Sequence, residues 1–223
     1  MNFIIIFIFF LSLSFKKTLA SEEKICYLVE YFFIDVAKVC ITYIKNEKIE
    51  TKVEANTLGF VNILKNISYF GFSKAKPNFK PEEFYFNQKE KGLRIVHHYE
   101  FKENYVKIQK IINEKKFLYY VKIKEKFYLE PFSASLYLFD KVKEKEKKGF
   151  LTIFYNGKIY KVPYEVLEKK DFLKIKIKPK IEVEGIIKPK GDWYLYIKKD
   201  GYYPEYMELK IRIGKIRLRR IRE

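Results

Sequence analysis

The residues equipped for chemistry are few, and their spacing limits what they can do. His97 and His98 are the only histidines. Neighbouring residues on a strand point to opposite faces, so the two rings cannot close on one metal ion as an i, i+2 pair could. With two scattered cysteines and no third imidazole, carboxylates alone would have to complete a zinc shell. One inward and one outward ring is expected, with no metal. Ser133 and Ser135 lie near Asp140, but nothing local supplies the base and oxyanion hole a nucleophile requires. Helix capping and packing account for both serines. No nucleophile elbow, P-loop or dinucleotide fingerprint is present. Glu82-Glu83 and the lysine-interleaved acids of 141–148 read as solvated faces, because a working carboxylate pair needs environments that separate its pKa values. These patterns point to a non-enzymatic protein without a cofactor.

The arginines are the least ordinary group. Of six, five (Arg212, Arg217, Arg219, Arg220 and Arg222) fall in the last twelve residues. Ile216 and Leu218 alternate with Lys215, Arg217 and Arg219, as Ile211 and Ile213 do with Lys210 and Arg212. That gives strands with one apolar and one cationic face, and Gly214 marks a turn or bulge between them. The guanidinium fork suits phosphate and carboxylate, so these five are candidates for contact with an anionic membrane surface. The plainer reading is a charged strand face that deters edge-to-edge aggregation.

Phe3 to Phe15 is an uncharged, almost wholly apolar run, followed by Thr18-Leu19-Ala20 and then Ser21. This reads as a secretory signal peptide over residues 1–20, cleaved between Ala20 and Ser21. The rival, an uncleaved anchor, is short: thirteen helical residues reach about 20 Å against a hydrocarbon core of about 30 Å. The expected location is the periplasm of a Gram-negative-type envelope. The net charge is +18, and +16 without residues 1–20, which hold Lys16, Lys17 and no acid. On an exported protein such charge does not point to nucleic acid, and none is expected as partner. An oxidising compartment also permits a bridge between Cys26 and Cys40. A three-residue turn centred on Phe33 would bring them opposite each other, whereas a two-residue turn at Ile34-Asp35 would not.

Residues 21–223 read as one mainly β domain. Alternation runs through Tyr27, Val29 and Tyr31, then Ala37, Val39, Ile41 and Tyr43, as a first hairpin. Leu58, Val61, Ile63-Leu64, Ile67 and Phe70 switch to helical spacing, so Thr57–Tyr69 is expected as an amphipathic helix capped by Thr57, with a basic loop from Ser73 to Pro81. Strands return at Leu93–Phe101, Tyr105–Ile112 and Lys116–Ile123. Glu130-Pro131-Phe132 opens a second short helix through about Phe139. Asn156-Gly157, between Phe150–Tyr155 and Lys158–Pro163, is a type I′ hairpin signal. Further strands are expected at Lys174–Lys178, Ile181–Ile187, Trp193–Lys198, Pro204–Ile213 and Lys215–Ile221. About a dozen strands and two short helices suggest a curved antiparallel sheet, an open or nearly closed β-barrel with helices covering or plugging it.

Several segments resemble an exported bacterial family, domain of unknown function 3108. They are Tyr27-Leu28-Val29-Glu30-Tyr31 with Val36-Ala37-Lys38-Val39, although Ala37 stands where that pattern has Gly; Glu130-Pro131-Phe132-Ser133-Ala134-Ser135; and Gly191-Asp192-Trp193-Tyr194-Leu195 with Lys199-Asp200-Gly201-Tyr202-Tyr203-Pro204. The resemblance implies the half-barrel architecture of outer-membrane lipoprotein carriers, a curved sheet around an apolar cavity. In that architecture Tyr27, Tyr31, Tyr43, Trp193 and Leu195 fall on inward positions and are the candidate lining. The leading expectation is a carrier of a lipid or lipoprotein acyl chain. The alternative is an envelope assembly factor that engages a protein through a sheet edge. An open cavity favours the first, and one filled with Phe and Tyr the second.

Overall fold

A computed structural model describes residues 21–59, 67–90, 92–181, 189–211 and 214–222. The expected signal segment, including Ala20, lies outside these residues, as do Arg212 and most of the first expected helix; Ser21 opens the first strand.

Two meanders make the molecule. The first is β1 (Ser21–Tyr31), β2 (Ile34–Lys45), β3 (Ile49–Thr57), β4 (Ser68–Ala75), β5 (Pro81–Glu90), β6 (Leu93–Phe101), β7 (Tyr105–Ile112) and β8 (Lys115–Lys122). Helix α1 (Pro131–Lys143) follows. The second is β9 (Lys148–Tyr155), β10 (Lys158–Glu168), β11 (Phe172–Ile177), β12 (Pro189–Lys198), β13 (Pro204–Ile211) and β14 (Lys215–Ile221). Within each meander every strand pairs antiparallel with its sequence neighbours, and β1 pairs antiparallel with β14. The result is one curved 14-stranded sheet, not closed into a barrel. Its break falls between β8 and β9, where α1 is inserted.

Alternation selects the inner face. Strand β6 turns Ile95, His97, Tyr99 and Phe101 inward, all buried. Helix α1 lays Leu136, Leu138, Phe139 and Val142 into the hollow of the sheet, where they join Ile25, Tyr27, Tyr43, Ile175 and Leu195 in one core. A second, aromatic core of Phe84, Tyr99, Phe101, Tyr128, Phe154 and Tyr155 joins β5–β7 to β9. Burying this much Phe and Tyr stabilises the fold by about 1.5–3 kcal/mol per fully buried side chain before entropy is counted.

Helix α1 owes its position to its first residues. Glu130 is fully buried as the N-cap, and its carboxylate accepts the N–H groups of Phe132 at 2.7 Å and Ser133 at 2.6 Å. Pro131 at N1 needs no hydrogen bond of its own. The Phe132 ring packs against β4 at Gly71, where an added Cβ would come within 2.6 Å of it. Just before the helix, Leu129 runs parallel to β9: its N–H donates to the Thr152 carbonyl and its own carbonyl accepts from Phe154, both at 2.8 Å.

Of the helix expected over Thr57–Tyr69, Gly59 is helical, whereas both ends of the expected span belong to strands. Thr57 ends β3, while Ser68 and Tyr69 open β4; Thr57 Oγ1 accepts the Ile67 N–H at 3.2 Å across the connection. Residues 60–66 lie outside the described set. Nor is Ser73–Pro81 one loop, since β4 continues to Ala75 and β5 begins at Pro81. Tyr69, Gly71 and Ser73 also alternate, and pairing with β3 and β5 draws the C-terminal end of the expected helix into β4.

Candidate functional site

The five residues expected to line a cavity do not share one. Tyr27, Tyr43 and Leu195 are packed in the core among one another and α1. The Tyr27 hydroxyl donates to the Pro204 carbonyl at 3.0 Å. Ser135 Oγ donates to the Phe132 carbonyl and sits 3.1 Å from the Tyr43 hydroxyl, which therefore donates to it. Burial raises the pKa of both phenols, that of Tyr43 to about 12, so neither is a base or nucleophile near neutrality. Trp193 packs against the same core with its buried Nε1 lacking a hydrogen-bond acceptor among the described residues. Tyr31 stands at the far end of β1, its ring 4.4 Å from that of Phe32.

Two pockets stand out among the described residues, and both open to solvent. One, of about 280 Å³, sits beside the end of α1 between Glu23, Lys45, Lys143, Tyr202 and Tyr203. There Tyr202 donates to Asp140 and Tyr203 to Glu23. The other, of about 360 Å³, lies between Asp192, Tyr194, Glu208, Lys210 and Lys215. Neither is an enclosed apolar cavity. The physical reason is α1, whose side chains occupy the hollow a ligand would need.

Cys26 and Cys40 form a disulfide directly across β1 and β2. Neither of the turns weighed from the sequence produces it. The turn has two residues, Phe32 and Phe33, and Tyr31 faces Ile34. A bulge between Val29 and Glu30 then shifts the register by one residue, which brings the cysteines opposite each other.

The arginines do not form one cationic face. Arg217 and Arg219 point outward, but Arg217 is held by Glu30 at 3.3 Å and Glu208 at 3.7 Å. Arg220 lies opposite Tyr27 in the register, on the inward side, and pairs with Glu205 at 3.2 Å. Arg219 and Arg222 are exposed. The expected single patch is thus split by strand alternation and partly neutralised by carboxylates on neighbouring strands. His97 is buried and meets the Tyr99 hydroxyl through Nδ1 at 3.0 Å; His98 faces outward to Glu83 at 3.0 Å. Among the described residues no cluster of three or more His, Cys, Asp or Glu could hold a metal ion, and no helix is long and apolar enough to cross a membrane.

Two exposed apolar features escaped the sequence reading. Strand β8 pairs only with β7 among the described strands, and exposes Phe117, Leu118 and Tyr120 between Lys115, Lys116 and Lys122. The opposite sheet end, β9, has its outer edge occupied by Leu129. The second feature is the β1–β2 tip, Phe32-Phe33-Ile34. Its signal was present as three consecutive bulky residues at the point where the alternation turns back.

An open sheet of this kind, plugged by one helix, defines a barrel-like β protein. The chain belongs to the DUF3108 family of proteins of unknown function, which it matches over residues 26–219. A solved structure with a similar fold is the beta-barrel-like protein of domain of unknown function DUF1849 from Brucella abortus. It has a TM-score of 0.59 and 8% identity, with 92% of this chain and 97% of that chain covered. At that identity the likeness is one of fold alone. No curated protein matches the sequence.

Proposed function

We propose that this is a non-enzymatic, exported envelope protein that engages an extended, acidic and apolar protein segment along β8. The filled interior carries this reading: the hollow that would take an acyl chain holds α1 and two clusters of Tyr, Phe and aliphatic side chains. Binding then falls to the surface, and β8 supplies an open row of backbone donors and acceptors for strand addition. Phe117, Leu118 and Tyr120 supply apolar contacts, and the flanking lysines favour acidic neighbours. The apolar run before Ser21 and the Cys26–Cys40 bridge support export.

The test is a photo-cross-linking side chain at position 116, with the protein expressed in a signal-competent strain. One discrete heavier species is expected in the envelope, and Leu118→Asp with Tyr120→Asp should abolish it. Native mass spectrometry of the extracted protein is the control. A mass starting at Ser21 without an adduct fits this reading. A stoichiometric lipid adduct would restore the carrier, and an unprocessed mass with nucleic acid would defeat both.

A further inference from the structure

The β1–β2 tip breaks a local rule at full exposure. Both of its central residues are phenylalanines with positive φ, 48° for Phe32 and 66° for Phe33. That is the backbone of a type I′ turn, which Asn-Gly adopts readily and bulky residues avoid. Phe32, Phe33 and Ile34 are 62%, 82% and 63% exposed, so most of each side chain stays in solvent despite the contacts of Phe32 with Tyr31 and of Phe33 with Arg217. Strain kept in place by the surrounding sheet, with large apolar groups facing solvent, is expected where function needs the contact.

Its surroundings point to the partner. Gly214, just before β14, abuts it, since a Cβ there would lie 3.5 Å from the Phe32 ring. Lys210 and Lys215, register partners at the adjoining ends of β13 and β14, are exposed. Arg217 holds its guanidinium 5.3 Å from the centre of the Phe33 ring, and it also neutralises Glu30 and Glu208. Asp35, exposed beside Ile34, has no ion-pair partner among the described residues and limits how deep the tip can go. Aromatic rings backed by lysine and arginine on a chain of net charge +16 without residues 1–20 match an anionic bilayer: rings at the headgroup boundary, cations among the phosphates.

We propose that Phe32, Phe33 and Ile34 insert shallowly into an anionic membrane surface, with Lys210, Lys215 and Arg217 lying at the lipid headgroups. The site is separate from β8 and does not depend on what β8 binds.

The experiment uses residues 21–223 with Phe33→Trp in a Trp193→Phe background. Its probes are vesicles of phosphatidylglycerol and phosphatidylethanolamine, with phosphatidylcholine vesicles for comparison. Binding to the anionic vesicles and quenching of Trp at position 33 by acyl-brominated lipid are expected. Phe32→Asn with Phe33→Gly, a pair that suits the turn and so folds, should weaken binding at least about tenfold, given the apolar area removed. Asp35→Lys should strengthen it about fivefold or more. Binding unchanged by the Asn-Gly pair would overturn the insertion and leave simple charge attraction. Absence of vesicle binding, or a dimer that the Asn-Gly pair converts to monomer, would overturn it in favour of a protein contact.

Discussion

Two hairpins turn at the same end of the sheet with the same backbone shape and opposite chemistry. At the β9–β10 tip, Asn156 and Gly157 have φ of 48° and 76°. The Asn156 N–H donates to the buried Tyr99 hydroxyl at 3.1 Å, and Gly157 packs near Tyr119 and Val121. At the β1–β2 tip, Phe32 and Phe33 hold nearly the same φ pair in solvent. One turn follows from local preference and is tied into the aromatic core. The other is imposed by the strands behind it, with the Cys26–Cys40 bridge among the restraints. The difference teaches that one turn shape can arise in two ways: the first tip has residues that favour it, and the second keeps a shape its residues oppose.

Breaking the bridge should separate the hairpins most. Cys26→Ala with Cys40→Ala removes closure of a loop with sequence separation 14, worth about 3 kcal/mol in the chain-entropy picture. Denaturant unfolding should show that loss, and hydrogen exchange should show it concentrated in β1–β2 rather than β9–β10. Moving the strained pair to the other tip, Asn156→Phe with Gly157→Phe, should cost about 2–3 kcal/mol, because each L residue in the left-handed region costs roughly 1–2 kcal/mol. The reverse exchange, Phe32→Asn with Phe33→Gly, should stabilise by about 1 kcal/mol, read as a rise of about 2–4 °C in Tm. Loss of stability in that variant would mean the phenylalanines contribute packing that their exposure does not suggest.

The smallest effect is a pH dependence carried by the support of β9. Burial raises the Glu130 pKa against the opposing hydrogen bonds from Ser133 and Phe132. A raised folded value means that the neutral carboxyl is favoured in the fold. Its stability is therefore complete below the ordinary carboxylate range and is lost as pH rises through the folded value. Glu130→Gln should flatten that slope in unfolding measured against pH, and exchange at β9–β10 should respond more than exchange at β1–β2. An equal slope in both proteins would remove Glu130 as its source.

The sequence spoke clearly where local chemistry and tertiary structure agree. Asn156-Gly157, the Glu130-Pro131 helix start and the opposite orientations of His97 and His98 all follow from turn preference, capping and alternation. The bounds Thr57–Tyr69 were too wide, although Gly59 within them is helical: alternation at Tyr69, Gly71 and Ser73 coexists with the three- and four-residue spacing, and strand partners took both ends, Thr57 into β3 and Ser68-Tyr69 into β4. The cysteine register depended on a bulge beside Val29, which alternation cannot reveal. Arg220 shows the limit of composition: five clustered arginines look like one surface, but adjacent residues on a strand face opposite ways. The cavity was an inference from resemblance, and the packing of α1, Tyr27 and Tyr43 replaces it.

The β1–β14 seam has a consequence for timing. The first strand made is completed by the last, so β1 keeps one open edge until Lys215–Ile221 has emerged. Sequence separation across that pair is nearly the whole described chain, and such distant pairing is slow. The sheet therefore cannot lock before that last described strand is available to pair. Until then β1 is a half-paired strand whose free edge is open to other chains.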